Sequence, residues 1–149
     1  MSQLHLTTSE EETVAYACSF AGILQRGDVV ALYGELGSGK TQFVKGVCKA
    51  WKTSTPATSP SFVILNRYAG RDRQLHELLV YHFDLYRITS MAELYDLGYE
   101  EFLRGDGICV IEWAERLGDL LPRKRYDVHF SLGANESERH ITIGEVTGE

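Results

Sequence analysis

Hydrophobic positions change period several times along the chain, and each change marks an element. Leu4, Leu6 and Thr8 alternate with their neighbours before Ser9-Glu10-Glu11-Glu12. The S-x-x-E spacing is a capping box, so a short edge strand is predicted to feed a helix starting near residue 10. Val14, Ala17, Cys18, Ala21 and Leu24 share one face of that helix, and Gln25-Arg26-Gly27 is predicted to end it, with Gly27 in the left-handed C′ position. Residues 28–33 are mostly apolar and β-branched, the pattern of a buried parallel strand. From Lys40 to about Lys52 the period becomes helical, with Phe43, Val44, Val47, Cys48 and Trp51 on one face.

The second half repeats the alternation of strand and helix. Residues 53–61 are rich in hydroxyls and hold two of the three prolines, which predicts a loop. Residues 61–68 and 78–86 read as two strands joined by a polar stretch, an antiparallel hairpin in or beside the sheet. A second S-x-x-E box, Ser90 to Glu93, opens a helical region with Leu94, Leu97, Phe102 and Leu103, punctuated by Gly98 and Gly105. Ile108-Cys109-Val110-Ile111 is another buried strand, and residues 126–130 and 139–143 alternate around a polar turn as a terminal hairpin. The predicted class is α/β: a P-loop NTPase-like sheet, mostly parallel with antiparallel hairpin additions, flanked by helices. At 149 residues, a single domain over 1–149 is expected.

Composition narrows the function classes. With 44% hydrophobic and 24% charged residues this is ordinary globular material, and no stretch approaches the ~20 apolar residues of a membrane span. The N-terminus lacks the basic and apolar regions of a secretory signal, so a cytoplasmic protein without a membrane partner is expected. Cys18, Cys48 and Cys109 are odd in number, far apart and in apolar surroundings, which predicts buried free thiols. A net charge of −6 argues against a broad footprint for nucleic acid, so no DNA partner is expected. The basic run Arg123-Lys124-Arg125 reads as a solvated turn. The five histidines show no metal-ligand spacing and read as structural.

The candidate chemistry lies between the strand at 28–33 and the helix from Lys40. Gly34-Glu35-Leu36-Gly37-Ser38-Gly39-Lys40-Thr41 matches G-x-x-x-x-G-K-[ST] in full. Its glycines allow positive φ and leave no Cβ in the way, so successive backbone N–H groups can converge on phosphates at a helix N-terminus. Candidate nucleotide contacts are Glu35, Leu36, Gly37, Ser38, Gly39, Lys40, Thr41 and Gln42, with Lys40 reaching the β- and γ-phosphates and the Thr41 hydroxyl on Mg²⁺. No N-K-x-D signature is present, which favours ATP over GTP.

Three further positions carry alternatives. Thr58 or Ser59, in the hydroxyl-rich loop, is either a second Mg²⁺ or γ-phosphate ligand or part of an ordinary connector. Asp84, inside His82-Phe83-Asp84-Leu85-Tyr86-Arg87, is either a metal-associated carboxylate or a structural acid paired with Arg87 or Arg67. Glu112 follows four apolar residues, like a Walker B strand with glutamate for aspartate. It either reaches Mg²⁺ or the attacking water, or is a surface residue after a core strand.

In order along the chain, the octapeptide, Thr58-Ser59-Pro60-Ser61-Phe62, the segment 82–87, Leu97-Gly98-Tyr99 and Val110-Ile111-Glu112-Trp113 resemble the TsaE (YjeE) family. That resemblance implies a bacterial cytoplasmic P-loop ATPase, with ATP and Mg²⁺ as cofactors, and the absence of an obvious arginine finger in the sequence predicts turnover that is slow alone and rises when a partner binds. The resemblance also implies TsaB and TsaD homologues as partners in making threonylcarbamoyladenosine in tRNA, with the tRNA reached through the complex. It implies Lys40 on the phosphates, Thr41 on Mg²⁺, Thr58 in a switch-like loop, Asp84 and Glu112 as acids at the metal or the water, and Trp113 beside the nucleotide. The family commonly has threonine where Ser61 stands; the hydroxyl is kept. Two other classes share a P-loop. A small-molecule kinase needs a lid supplying arginines, for which no insertion is evident, and a nucleotide-dependent switch binds partners with little turnover.

Overall fold

A computed structural model describes residues 2–35, 37–54, 57 and 64–148. Among these, seven strands and four α-helices follow in the order β1 (Ser2–Thr7), α1 (Glu10–Ala21), β2 (Val29–Tyr33), α2 (Lys40–Ala50), β3 (Leu65–Arg71), β4 (Glu77–Asp84), α3 (Met91–Leu97), α4 (Tyr99–Arg104), β5 (Ile108–Glu112), β6 (Lys124–Leu132) and β7 (Arg139–Thr147). Two 3₁₀ turns, Ala114–Arg116 and Gly118–Leu120, link β5 to β6.

All seven strands form one sheet in the order β1-β7-β6-β2-β5-β4-β3. The central strands β6, β2, β5 and β4 are mutually parallel, while β3 and β7 run against their neighbours. The predicted α/β class with antiparallel additions therefore holds, and the Walker B-like strand lies directly beside the P-loop strand. Because side chains alternate across a sheet, each strand feeds two cores. Val30, Leu32, Val80, Val110 and Val128 pack with Ala17, Ala21, Phe43 and Val47 on the face covered by α1 and α2. Val29, Ala31, Phe83, Cys109 and Ile111 pack with Leu94, Tyr99 and Leu103 on the opposite face. No helix among the described residues is long and apolar enough to cross a membrane.

The N-terminal capping box forms with a shift. Glu12 N–H donates to Ser9 Oγ at 3.0 Å, and the Glu12 carboxylate takes the backbone N–H and hydroxyl of Thr8 at 2.8 and 3.0 Å. Helix α1 ends at Ala21, six residues before the predicted stop. Gly27 is left-handed as predicted, with φ 87°, but it belongs to the turn entering β2, where its N–H donates to the carbonyls of Asp106 and Gly107. The second box does not form as a box: Ser90 makes no capping hydrogen bond, and Glu93 instead accepts from the Thr89 hydroxyl at 2.7 Å. Cys48 and Cys109 are buried, whereas Cys18 is only half-buried. The basic run enters β6, where Arg125 pairs with Asp127 at 2.8 Å.

Candidate nucleotide and metal site

The parallel register sets the site. Leu32 of β2 stands beside Glu112 of β5, and Glu112 beside Asp84 of β4, so both acids lie level with the end of the P-loop strand. Adjacent strands are about 4.8 Å apart, which leaves Glu112 one strand from the loop and Asp84 two.

The loop has the predicted backbone: Gly34, Gly37 and Gly39 adopt φ of 155°, 79° and 108°. A Cβ on Gly34 would stand 2.6 Å from Ser38 Oγ and 2.9 Å from Phe130 Cβ, so a side chain there would fill the cradle. Ser38 Oγ is buried without a hydrogen-bond partner among the described residues. Lys40 begins α2, and its ammonium donates to the carbonyls of Gly34 and Glu35 and lies 4.1 Å from the centre of the Trp113 ring. Burial lowers the Lys40 pKa, against the opposing pull of Glu112, Glu115, Asp84 and Glu35.

Thr41 Oγ1 lies 3.3 and 3.4 Å from the two carboxylate oxygens of Glu112. Glu112 is 3% exposed, so the surface reading of this residue is excluded. Its Oε2 is 2.6 Å from Nε2 of His82, which is wholly buried. Asp84 Oδ1 accepts the Tyr86 N–H at 3.1 Å, and among the described residues it forms no ion pair with Arg67 or Arg87. Burial raises the Asp84 carboxyl, and the neighbouring Glu112 charge raises it further. Trp113 has φ 58° and ψ 43°, a left-handed conformation rare for a bulky residue. This turn at the end of β5 sets its ring between Lys40 and Tyr86, whose ring centre is 5.0 Å away.

Lys40, Thr41, Glu112 and Trp113 are thus brought together, with Asp84 on the adjoining strand. Glu35 joins through its carbonyl, and Gln42 is half-buried in the first turn of α2. Leu36, Thr58, Ser59 and Ser61 lie outside the described residues. Mg²⁺ is ordinarily held by one or two carboxylates together with waters and substrate phosphates. A hydroxyl and two acids beside the glycine loop suit that ion; three His, Cys, Asp or Glu side chains do not converge among the described residues.

Two residues went unmarked in the sequence. His82 follows Leu78 and Val80 on the inward-facing positions of β4, a polar ring where the alternation calls for an apolar one. Arg139, on the hairpin to which no function was assigned, donates to the Gly37 carbonyl at 3.2 Å, a contact across 102 residues that no local pattern announces.

Comparison with known proteins agrees with this architecture. Residues 7–141 match the family model described as "Threonylcarbamoyl adenosine biosynthesis protein TsaE". A tRNA threonylcarbamoyladenosine biosynthesis protein TsaE from Treponema pallidum is 37% identical over 139 residues, 93% of this chain and 97% of that protein. Its counterpart from Bacillus subtilis is 36% identical over 140 residues, 94% of this chain and 84% of that protein. The crystal structure of B. subtilis YdiB superposes with a TM-score of 0.76 at 31% identity, covering 98% of this chain and 86% of that one.

Proposed function

The chain belongs to the TsaE family, and from that membership together with the site geometry we propose that it is a Mg²⁺-dependent ATPase serving the synthesis of threonylcarbamoyladenosine in tRNA. The observation that carries this reading is the meeting of Lys40, Thr41 and Glu112 at the end of adjacent parallel strands, with Asp84 one strand further. Lys40 turns from the loop carbonyls to the β- and γ-phosphates, and the loop N–H groups bind the phosphate oxygens. The Thr41 hydroxyl and the Glu112 carboxylate hold the ion or its water, and Asp84 supports the same site. Trp113 covers one side of the nucleotide. When bound, Mg²⁺ neutralises charge on the β- and γ-phosphoryl oxygens.

The chain works as one domain in the cytoplasm, within a complex containing TsaB and TsaD homologues, and meets tRNA through them. Turnover alone is slow, because full transition-state stabilisation awaits a partner; an arginine supplied in this way contributes on the order of 10³ to 10⁵ in rate. Calorimetric titration of ATP with and without Mg²⁺, followed by phosphate release with and without the partners, tests the reading. Mg²⁺-dependent binding and partner-stimulated release of inorganic phosphate are expected. Absence of nucleotide binding would sink the assignment, and phosphate appearing only on an added small acceptor would make the chain a kinase.

A further inference from the structure

Of the five histidines, His82 alone is fully buried, and it touches the site without belonging to the P-loop motif. The ring stands in β4 level with Val110 of β5, two residues before the register pair Asp84 and Glu112. A carboxylate only accepts hydrogen bonds, so the 2.6 Å contact to Glu112 Oε2 places a proton on Nε2. The other nitrogen, Nδ1, is buried with no partner among the described residues. A buried polar atom left unmatched disfavours the fold, and an apolar residue in line with Leu78 and Val80 would suit the strand better. The ring is therefore explained by what Nε2 does.

Resting on the Mg²⁺-nucleotide reading above, we propose that His82 is a positioning residue whose Nε2–H fixes the Glu112 carboxylate so that its oxygens stay directed at Thr41. Both oxygens lie within 3.4 Å of the Thr41 hydroxyl while Oε2 is held from behind by the ring. Glutamate has three side-chain torsions, and a donor on one oxygen removes the freedom that would let the carboxylate swing away from the ion. Outer contacts of this kind orient metal-binding groups, and their loss ordinarily lowers metal affinity by roughly 10- to 100-fold. The Tyr68 ring, 6.5 Å from His82 centre to centre, lies on the same core face.

The test compares His82→Gln with His82→Asn in the full-length protein. Glutamine can set its amide N–H near the place of Nε2, whereas the shorter asparagine falls near Nδ1 and does not reach Glu112. A non-hydrolysable ATP analogue is titrated by calorimetry across a Mg²⁺ series. The expected result is a Mg²⁺ requirement raised roughly 10- to 100-fold in the asparagine variant and largely kept in the glutamine variant, with similar losses in thermal stability. Equal Mg²⁺ requirements in the two variants, with wild type Mg²⁺-dependent, would overturn the role of His82 alone. No Mg²⁺ effect in wild type would bring down the site reading and this inference with it. Nitrogen-15 spectra of the histidine ring decide the matter if neither variant folds. A protonated Nε2 whose signal moves in Glu112→Gln supports the proposal, and an Nε2 that carries no proton refutes it.

Discussion

Gly46 sits in the middle of α2, where helix propensity alone recommends alanine by about 0.8–1.0 kcal/mol. The structure reverses the sign. A Cβ at this position would drive into the Val14 carbonyl oxygen and stand 2.5 Å from Ala17 Cβ and 2.9 Å from Cys18 N, all on α1. Carbon atoms rest at about 3.5–4.0 Å, so α1 and α2 must part by roughly 1 Å. Two of the three obstacles are backbone, which leaves little to yield by rotation. Overpacking of this kind costs about 1–3 kcal/mol, and a gap of 0.5–1 Å forfeits a quarter to a half of each contact across the Ala17, Ala21, Phe43 and Val47 interface. Overpacking less the propensity gain leaves about 0–2 kcal/mol, to which the forfeited contacts add, so Gly46→Ala should destabilise by about 1–2 kcal/mol. For a chain of this size that lowers Tm by roughly 2–8 °C. Because α2 begins with Lys40 and Thr41, ATP affinity should fall in the same variant. Calorimetric unfolding and an ATP titration measure both effects. An unchanged or higher Tm would show that the close helix approach is not what the glycine is for.

Lys40→Ala should fold as wild type and weaken ATP binding roughly tenfold to a hundredfold, the loss of a charge-assisted contact of about 1.5–3 kcal/mol, as read by calorimetry. Ser9→Ala should cost about 1 kcal/mol in denaturant unfolding because its hydroxyl caps α1, whereas Ser90→Ala, from the same S-x-x-E spacing, should stay within about 0.5 kcal/mol because its side chain makes no capping bond. Burial pushes the thiols of Cys48 and Cys109 up to about 12, so they remain protonated at neutral pH. Iodoacetamide should modify the half-buried Cys18 first in native protein, and prompt labelling of Cys109 followed by mass spectrometry would contradict the buried packing of β5.

The strand, glycine loop and helix of the phosphate site were legible because their chemistry is local: glycine spacing, a β-branched run and a change of period all fall within 25 residues. So was the burial of Phe43, Val44, Val47, Cys48 and Trp51. The end of α1 was not, because a glycine fit for a helix stop can serve any left-handed turn. Gly27 donates its N–H to carbonyls of the loop before β5, some eighty residues away. The Ser90 box differs at the serine: Thr89 holds the Glu93 carboxylate just as Thr8 holds that of Glu12, but the Glu93 N–H donates to the Ser90 carbonyl at 3.3 Å and not to its hydroxyl. The role of Arg139 depends on the hairpin reaching the P-loop across the sheet. His82 stood in plain view as a polar residue on an apolar face, and only its pairing with Glu112 gives that position a meaning.

Strand order also divides the work of the two acids. In the row Leu32, Glu112, Asp84 each step away from the P-loop strand is about 4.8 Å, so Glu112 meets Thr41 while Asp84 is engaged with the Tyr86 N–H. Glu112 should therefore act where charge develops, and Asp84 should tune the ion from outside. Glu112→Gln keeps the shape, and its carbonyl can still accept from His82, but the charge beside Thr41 is gone. Phosphate release measured with the partners should fall roughly 10²- to 10⁴-fold even at saturating Mg²⁺, as when a positioned base or water-orienting carboxylate is removed, while ATP affinity at saturating Mg²⁺ changes far less and the half-maximal Mg²⁺ concentration rises as in His82→Asn. Asp84→Asn should leave the rate at saturating Mg²⁺ nearly intact and shift the half-maximal Mg²⁺ concentration upward. Both variants are read across one Mg²⁺ series. Wild-type behaviour in both would mean that the acids serve only the fold, and the opposite pattern would make Asp84 the group nearest the reacting phosphate, against the order of the strands.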